Sequence, residues 1–192
     1  LASPGQPRDL EVARHLDPRV LAQPHKPASA DELETRAKAL AAAQRYLEAV
    51  GLLRVVAAHK GYDGERERDI QDVAEKAGRA DLVVESLGRM AGAATDPAAR
   101  AGVRRERALV RAGQPSMVVE ASKDARAAFG LVPGDADTAT LWLQLAEMAG
   151  DDKDVADALG AVASTTAKAS ERSEAHARRV RLLQEKLGDV DG

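Results

Sequence analysis

Residues 30–60 read ADELETRAKALAAAQRYLEAVGLLRVVAAHK, and this stretch decides the fold. Its apolar residues recur at steps of three and four in two runs, which the polar pair Gln44 and Arg45 separates. That spacing places each run on one face of its own helix. The first run is Leu33, Ala37 and Leu40, and the second is Tyr46, Ala49, Leu53, Val56 and Ala57. The stretch therefore predicts a helical hairpin.

Both ends of this hairpin carry helix-terminal signals. Ser29 followed three residues later by Glu32 forms a capping box, which predicts the start of the first helix. Gly61 directly after the second run predicts the end of the second helix. Because one hairpin cannot bury both faces of its helices, we expect further helices to stack on it.

The amino-acid composition favours helices over strands. Hydrophobic residues make up 44% of the 192 residues, but there are only one Trp, two Tyr and one Phe, and alanine dominates. Such a chain favours helices packed closely by small side chains over an aromatic-rich β core. No alternating strand pattern of useful length is present, so the sequence predicts an all-α fold.

Charge and cysteine content exclude several classes of function. The net charge is −3, with 28 Lys and Arg against 31 Asp and Glu, so no long-range attraction to nucleic acid or to an anionic membrane is expected. The absence of cysteine excludes disulfides, thiolate metal sites and cysteine nucleophiles. No apolar run approaches the roughly 18 residues of a membrane span. The sequence predicts a soluble chain and leaves its compartment and oligomeric state open.

Three prolines, Pro18, Pro24 and Pro27, suggest where the chain divides. Each disfavours helix in the residue before it. We therefore predict an N-terminal segment over residues 1–28, with one short helix over 8–16, and a helical array over residues 29–192.

An internal repeat is the strongest signal in the sequence. Polar breaks after each predicted first helix are separated by 34, 35, 37 and 38 residues, at Gln44, Gly78, Gly113, Gly150 and Gly188. The second helix after each break has a small or branched residue at its centre: Ala49, Val83, Val118 and Val155. A large apolar residue follows four positions later at Leu53, Leu87 and Leu159, with Ser122 as the exception. A period near 34 predicts repeated helical hairpins.

This pattern resembles the tetratricopeptide repeat. The first repeat fits the family pattern with Leu33, Ala37, Leu40, Tyr46, Ala49 and Leu53. Later repeats depart from it at Gln71, Glu106, Arg105 and Ser122, so a divergent α-helical repeat is the alternative. The resemblance implies an α-solenoid of stacked antiparallel hairpins in a right-handed superhelix. It also implies that peptides or partner helices bind in a concave groove lined by the first helices.

Four arginines form a stripe along one predicted helix: Arg100, Arg104, Arg107 and Arg111. Their spacing of four, three and four residues places them on one side of the helix. In the register of the family, this side faces the groove. Either the stripe pairs with acids of the preceding first helix, Glu65, Asp72 and Glu75, or it binds an acidic segment or carboxylate of a partner.

No residue pattern indicates catalysis. The histidines His15, His25, His59 and His176 lie far apart, and neither a His-Glu-x-x-His pair nor a glycine-rich phosphate loop is present. We therefore predict no catalytic residue, no metal and no cofactor. The final helix, predicted over residues 170–187, is either a terminal cap or the first half of a further hairpin.

Together these patterns predict a protein-interaction scaffold that belongs to a longer protein and binds a peptide or partner helix. The alternative is a regulatory or sensor arm of a multidomain regulator or of secretion machinery, which packs on its own neighbouring domain.

Overall fold

The computed structural model describes residues 28–188. Within them the chain forms nine α-helices and no strand. The helices are α1 Ala30–Ala42, α2 Tyr46–Lys60, α3 Gly64–Lys76, α4 Ala80–Ala93, α5 Pro97–Ala112, α6 Val118–Leu131, α7 Ala136–Ala149, α8 Asp152–Thr165 and α9 Ala169–Leu182. A 3₁₀ turn over Pro115–Met117 precedes α6, and a π-helical turn over Leu183–Leu187 extends α9. The predicted all-α class is confirmed. The helix predicted over residues 8–16 lies outside the described residues, and the division after residue 28 stays a prediction.

The chain divides in sequence into two compact units between Val73 and Ala74, inside α3. In the first unit α1 and α2 pack together as the predicted hairpin. The capping box is confirmed, because the Ser29 hydroxyl accepts from the Glu32 N–H at 3.3 Å and the Glu32 carboxylate accepts from the Ser29 N–H at 2.7 Å. The buried residues of the hairpin are Ala37, Ala49, Val50, Leu53 and Val56.

In the second unit each helix from α4 to α9 packs against the next helix along the chain. Short joints between them make neighbours antiparallel. Trp142, Leu145 and Leu159 occupy the centre of a core that is otherwise built largely of alanine. Helical hairpins stacked in this way confirm the repeat architecture that the tetratricopeptide resemblance implies.

The repeated breaks are sharp helix ends in left-handed conformation. Gln44, Gly78, Gly150 and Gly188 have φ values of 60°, 67°, 70° and 65°. After the first two of these, the next N–H donates to the carbonyl five residues back, at 2.9 Å for both Arg45 to Leu40 and Arg79 to Ala74. This bond is the signature of a Schellman helix end. The polar breaks in the sequence therefore correspond to one recurring backbone motif.

Gly113 differs from the other breaks and corrects the register of α5. Its φ of −68° is right-handed, and no residue at the end of α5 adopts the left-handed conformation of the other breaks. The inward residues Leu40, Ala74 and Ala108 follow one another at intervals of 34 residues, and both alanines are fully buried. The register of α5 therefore begins one residue earlier than the alignment on Gly113 predicts.

These two glycine environments give a matched test. Gly150→Ala is expected to lower the free energy of unfolding by about 1–2 kcal/mol, because an L side chain is strained in left-handed conformation. Gly113→Ala is expected to be neutral or to stabilise by about 0.4–1 kcal/mol, since its φ suits alanine. A new Cβ at Gly113 would meet only the Val110 carbonyl, at 3.5 Å. Chemical denaturation of both variants measures the difference, and equal effects would contradict the different backbone conformations of Gly150 and Gly113.

Ser122, the exception in the repeat, is buried and polar. It is 2% exposed, and its hydroxyl donates to the carboxylate of Asp154 in α8. A hydrogen bond between second helices therefore replaces the apolar contact that Leu87 and Leu159 supply in the other repeats.

Candidate functional site

Helix α5 carries the arginine stripe and has a well-defined start. Asp96 is its N-cap and accepts from the N–H of Ala99 at 2.7 Å, while Pro97 occupies the first helical position. Both features favour helix initiation. In the corrected register, Arg104 and Arg107 occupy positions that other first helices fill with buried apolar residues: Ile70 and Val73 in α3, and Trp142 and Leu145 in α7.

The stripe therefore faces inward, towards α4 and α6. A Cβ placed on Gly88 of α4 would lie 3.1 Å from a guanidinium nitrogen of Arg107. The side chains of Arg107 and Arg111 are only 16% and 19% exposed. This placement differs from the groove position that the resemblance implies, and the cause is the displacement of α5 by one residue.

Three arginines of the stripe converge on one buried carboxylate, Asp124 of α6, which is 3% exposed. Arg107 donates to both of its oxygens, with 2.8 Å between Nε and Oδ2, and Arg111 Nη1 lies 2.6 Å from Oδ2. Arg104 Nη1 lies further away, 3.7 Å from Oδ1. Arg100 instead donates from Nε to the carbonyl of Ala94 at 2.9 Å. We call Arg104, Arg107, Arg111 and Asp124 the arginine cluster.

The sequence pattern suggested Glu65, Asp72 and Glu75 as counterions of the stripe and did not indicate Asp124. A signal for Asp124 was nevertheless present. It lies within the apolar face of α6, whose buried members are Ala121, Ala125 and Ala128. An acid on an alanine face needs a buried cation, since an unpaired charge in the interior is strongly unfavourable.

Positive charge exceeds negative charge around the cluster. Glu120 lies nearby, and its pKa is lowered first by a hydrogen bond from Lys123 and further by the charges of Arg111 and Arg107. Three guanidinium groups converge on the single carboxylate of Asp124, while Lys123 pairs with Glu120 at 2.6 Å. Arg104 keeps 32% of its side chain exposed, and its buried Nε has no hydrogen-bond partner. The cluster therefore retains a local positive surplus with one accessible member.

The histidines, which could take part in catalysis or metal binding, lie apart from one another in the described residues. His59 Nδ1 lies 2.8 Å from the carbonyl of Val55 in its own helix, and His176 is exposed on α9. His15 and His25 lie outside the described residues. In residues 28–188 no group of three His, Asp or Glu side chains is arranged to hold a metal ion. No helix in this part of the chain is both long and apolar enough to cross a membrane.

No protein-family model and no curated protein matches the chain. Among solved structures it is similar to a mutant of MamA, at 18% identity over 84% of this chain and 90% of that chain, with a TM-score of 0.45. It is also similar to PilF of Pseudomonas aeruginosa, at 13% identity over 95% and 81% with a TM-score of 0.44. A third is TTC0263, a thermophilic TPR protein of Thermus thermophilus, at 14% identity over 83% and 94% with a TM-score of 0.36. At this level of similarity none of them assigns a partner or an activity to the chain.

Proposed function

We propose that the chain is a protein-interaction scaffold whose partner, a peptide or a helix with an acidic segment, binds along the first helices of the second unit. The observation that carries the proposal is the positive surplus of the arginine cluster on α5. An acidic segment would supply the missing negative charge, and guanidinium groups bind carboxylates through paired, charge-assisted hydrogen bonds. Arg104, the most exposed arginine of the cluster, is its proposed contact.

The two more buried arginines of the cluster support the same surface through their charges. Arg107 and Arg111 already bind Asp124, so their charges would attract an acidic partner only over a distance. Such fields steer an acidic partner towards the surface and weaken as salt rises.

A defined peptide tests this proposal. A fluorescently labelled peptide of alternating glutamate and leucine is expected to bind, and its glutamine counterpart is expected to bind more weakly. Arg104→Gln should weaken the glutamate peptide about tenfold or more, the effect of losing one charged hydrogen bond. Thermal stability should change little, because Arg107 and Arg111 still satisfy Asp124. Fluorescence anisotropy at low and high salt measures both affinities.

Arg89 of α4 offers a matched control. Its side chain is 35% exposed and pairs with Glu85 at 2.7 Å, so Arg89→Gln removes one charge of similar exposure from another helix. If Arg104→Gln and Arg89→Gln weaken binding of the glutamate peptide equally, the cause is a general effect of charge. That outcome, or equal binding of the glutamate and glutamine peptides, would refute the role of the cluster.

A further inference from the structure

Helix α9 repeats the placement of α5 at an interval of 72 residues. α8 and α9 begin 72 residues after α4 and α5, and Arg179 of α9 follows Arg107 at the same interval. Arg107 lies against Gly88 of α4. Arg179 lies against Gly160 of α8, 72 residues after Gly88, where a new Cβ would meet its Nε and Cζ at 3.7 Å. Arg179 is therefore the structural counterpart of Arg107.

The two arginines differ in their partners. Arg107 pairs with Asp124 of α6, the helix that packs on α5. In residues 28–188 Arg179 has no carboxylate partner: its Nε is buried without an acceptor, whereas its two Nη nitrogens keep contact with solvent. A half-buried guanidinium without a counterion is unfavourable, because burial removes hydration that nothing replaces. Arg179 therefore lacks the carboxylate that Asp124 supplies to Arg107.

The apolar neighbour of Arg179 is uncovered as well. Val180 is 45% exposed, whereas its counterpart in α5, Ala108, is fully buried in a core that includes Ala121 and Ala125 of α6. Among the described helices none packs on α9 as α6 packs on α5. We call Gly160, Arg179 and Val180 the α9 face. It has the features of the surface that α6 covers on α5, and it is open.

We propose that the α9 face binds a helix of a partner polypeptide that carries one carboxylate on a face of small apolar residues. The carboxylate binds the Nη nitrogens of Arg179, as Asp124 binds Arg107, and the small residues pack on Val180. The covering face of α6 has this pattern, with Asp124 among Ala121, Ala125 and Ala128. The contact lies on a different helix from the acidic contact proposed for α5 and does not depend on it.

A synthetic peptide of residues 115–132 is the probe, because it contains the complete α6. With capped ends and a fluorescent label, it is expected to bind the protein saturably at submillimolar concentrations. The same peptide with Asp124→Asn should bind about tenfold more weakly, the effect of losing one charged hydrogen bond. Arg179→Gln in the protein should weaken the aspartate peptide to the same extent. Fluorescence anisotropy measures the affinities.

Arg181→Gln is the matched control. Arg181 is an exposed arginine of the same helix, about 200° around it from Arg179, so its loss should leave peptide binding unchanged. Arg179→Gln should leave the melting temperature nearly unchanged, because no described ion pair is lost. The absence of saturable binding, or equal binding of the aspartate and asparagine peptides, would overturn the proposal. A dimer that Arg179→Gln dissociates in sedimentation would also overturn it, since the α9 face would then belong to a second copy.

Discussion

Replacing Asp124 with asparagine is expected to lower the free energy of unfolding by about 3 kcal/mol, the low end of the range for breaking a buried ion pair. Asparagine keeps the shape of the side chain but removes its charge, so Arg107 and Arg111 lose their shared carboxylate. The low end applies because the three arginine side chains keep 16% to 32% of their surface exposed. Chemical denaturation followed by circular dichroism measures the change.

The control for this variant is Glu147→Gln. The Glu147 carboxylate is 37% exposed and pairs with Arg178 of α9 at 2.5 Å. Loss of an exposed pair is expected to change stability by only about 0.2–1 kcal/mol. If both variants lose the same small amount, the arginine cluster does not stabilise the second unit.

A double-mutant cycle measures the interaction energy between Arg107 and Asp124 separately from the cost of desolvating each charge. Arg107→Leu restores the residue type that α7 carries at the equivalent position, Leu145. Combined with Asp124→Asn, it is expected to cost less than the sum of the two single changes, because residues in one ion-pair network couple by about 0.5–3 kcal/mol. Additive effects would show that Arg107 and Asp124 are energetically independent.

The sequence was sufficient to predict the helical hairpins and most of their ends. Gln44, Gly78, Gly150 and Gly188 share a polar break pattern, and all four adopt the same left-handed conformation. Such local motifs can be predicted from the sequence because a left-handed backbone conformation limits the residue types at that position. Of the residues predicted at the centres of second helices, Ala49, Val83 and Val155 are buried, whereas Val118 is the first residue of α6 and only half-buried.

The placement of the arginine stripe was not predictable by the same means. Gly113 resembles the other breaks in residue type, and only the burial of Ala108, 34 residues after Ala74, shows that it lies one residue beyond the equivalent position. One residue corresponds to about 100° around a helix, which moves a predicted groove face towards the interior. The long-range partner Asp124 depends on this rotation, because Arg107 reaches it across 17 residues of chain.

Leu87→Ala is expected to lower the free energy of unfolding by about 2–5 kcal/mol, which combines lost apolar burial with the cavity left behind. Leu87 is fully buried at the centre of α4, in the position that Leu159 occupies in α8. The control is Leu109→Ala on α5, where the side chain is 56% exposed and a change within about 0.5 kcal/mol is expected. Both variants replace the same residue type by alanine within a helix of the second unit, so helix propensity cancels between them. A near-neutral effect of Leu87→Ala would show that the core of this unit lies elsewhere. The register that aligns Leu87 with Leu159 would then be wrong.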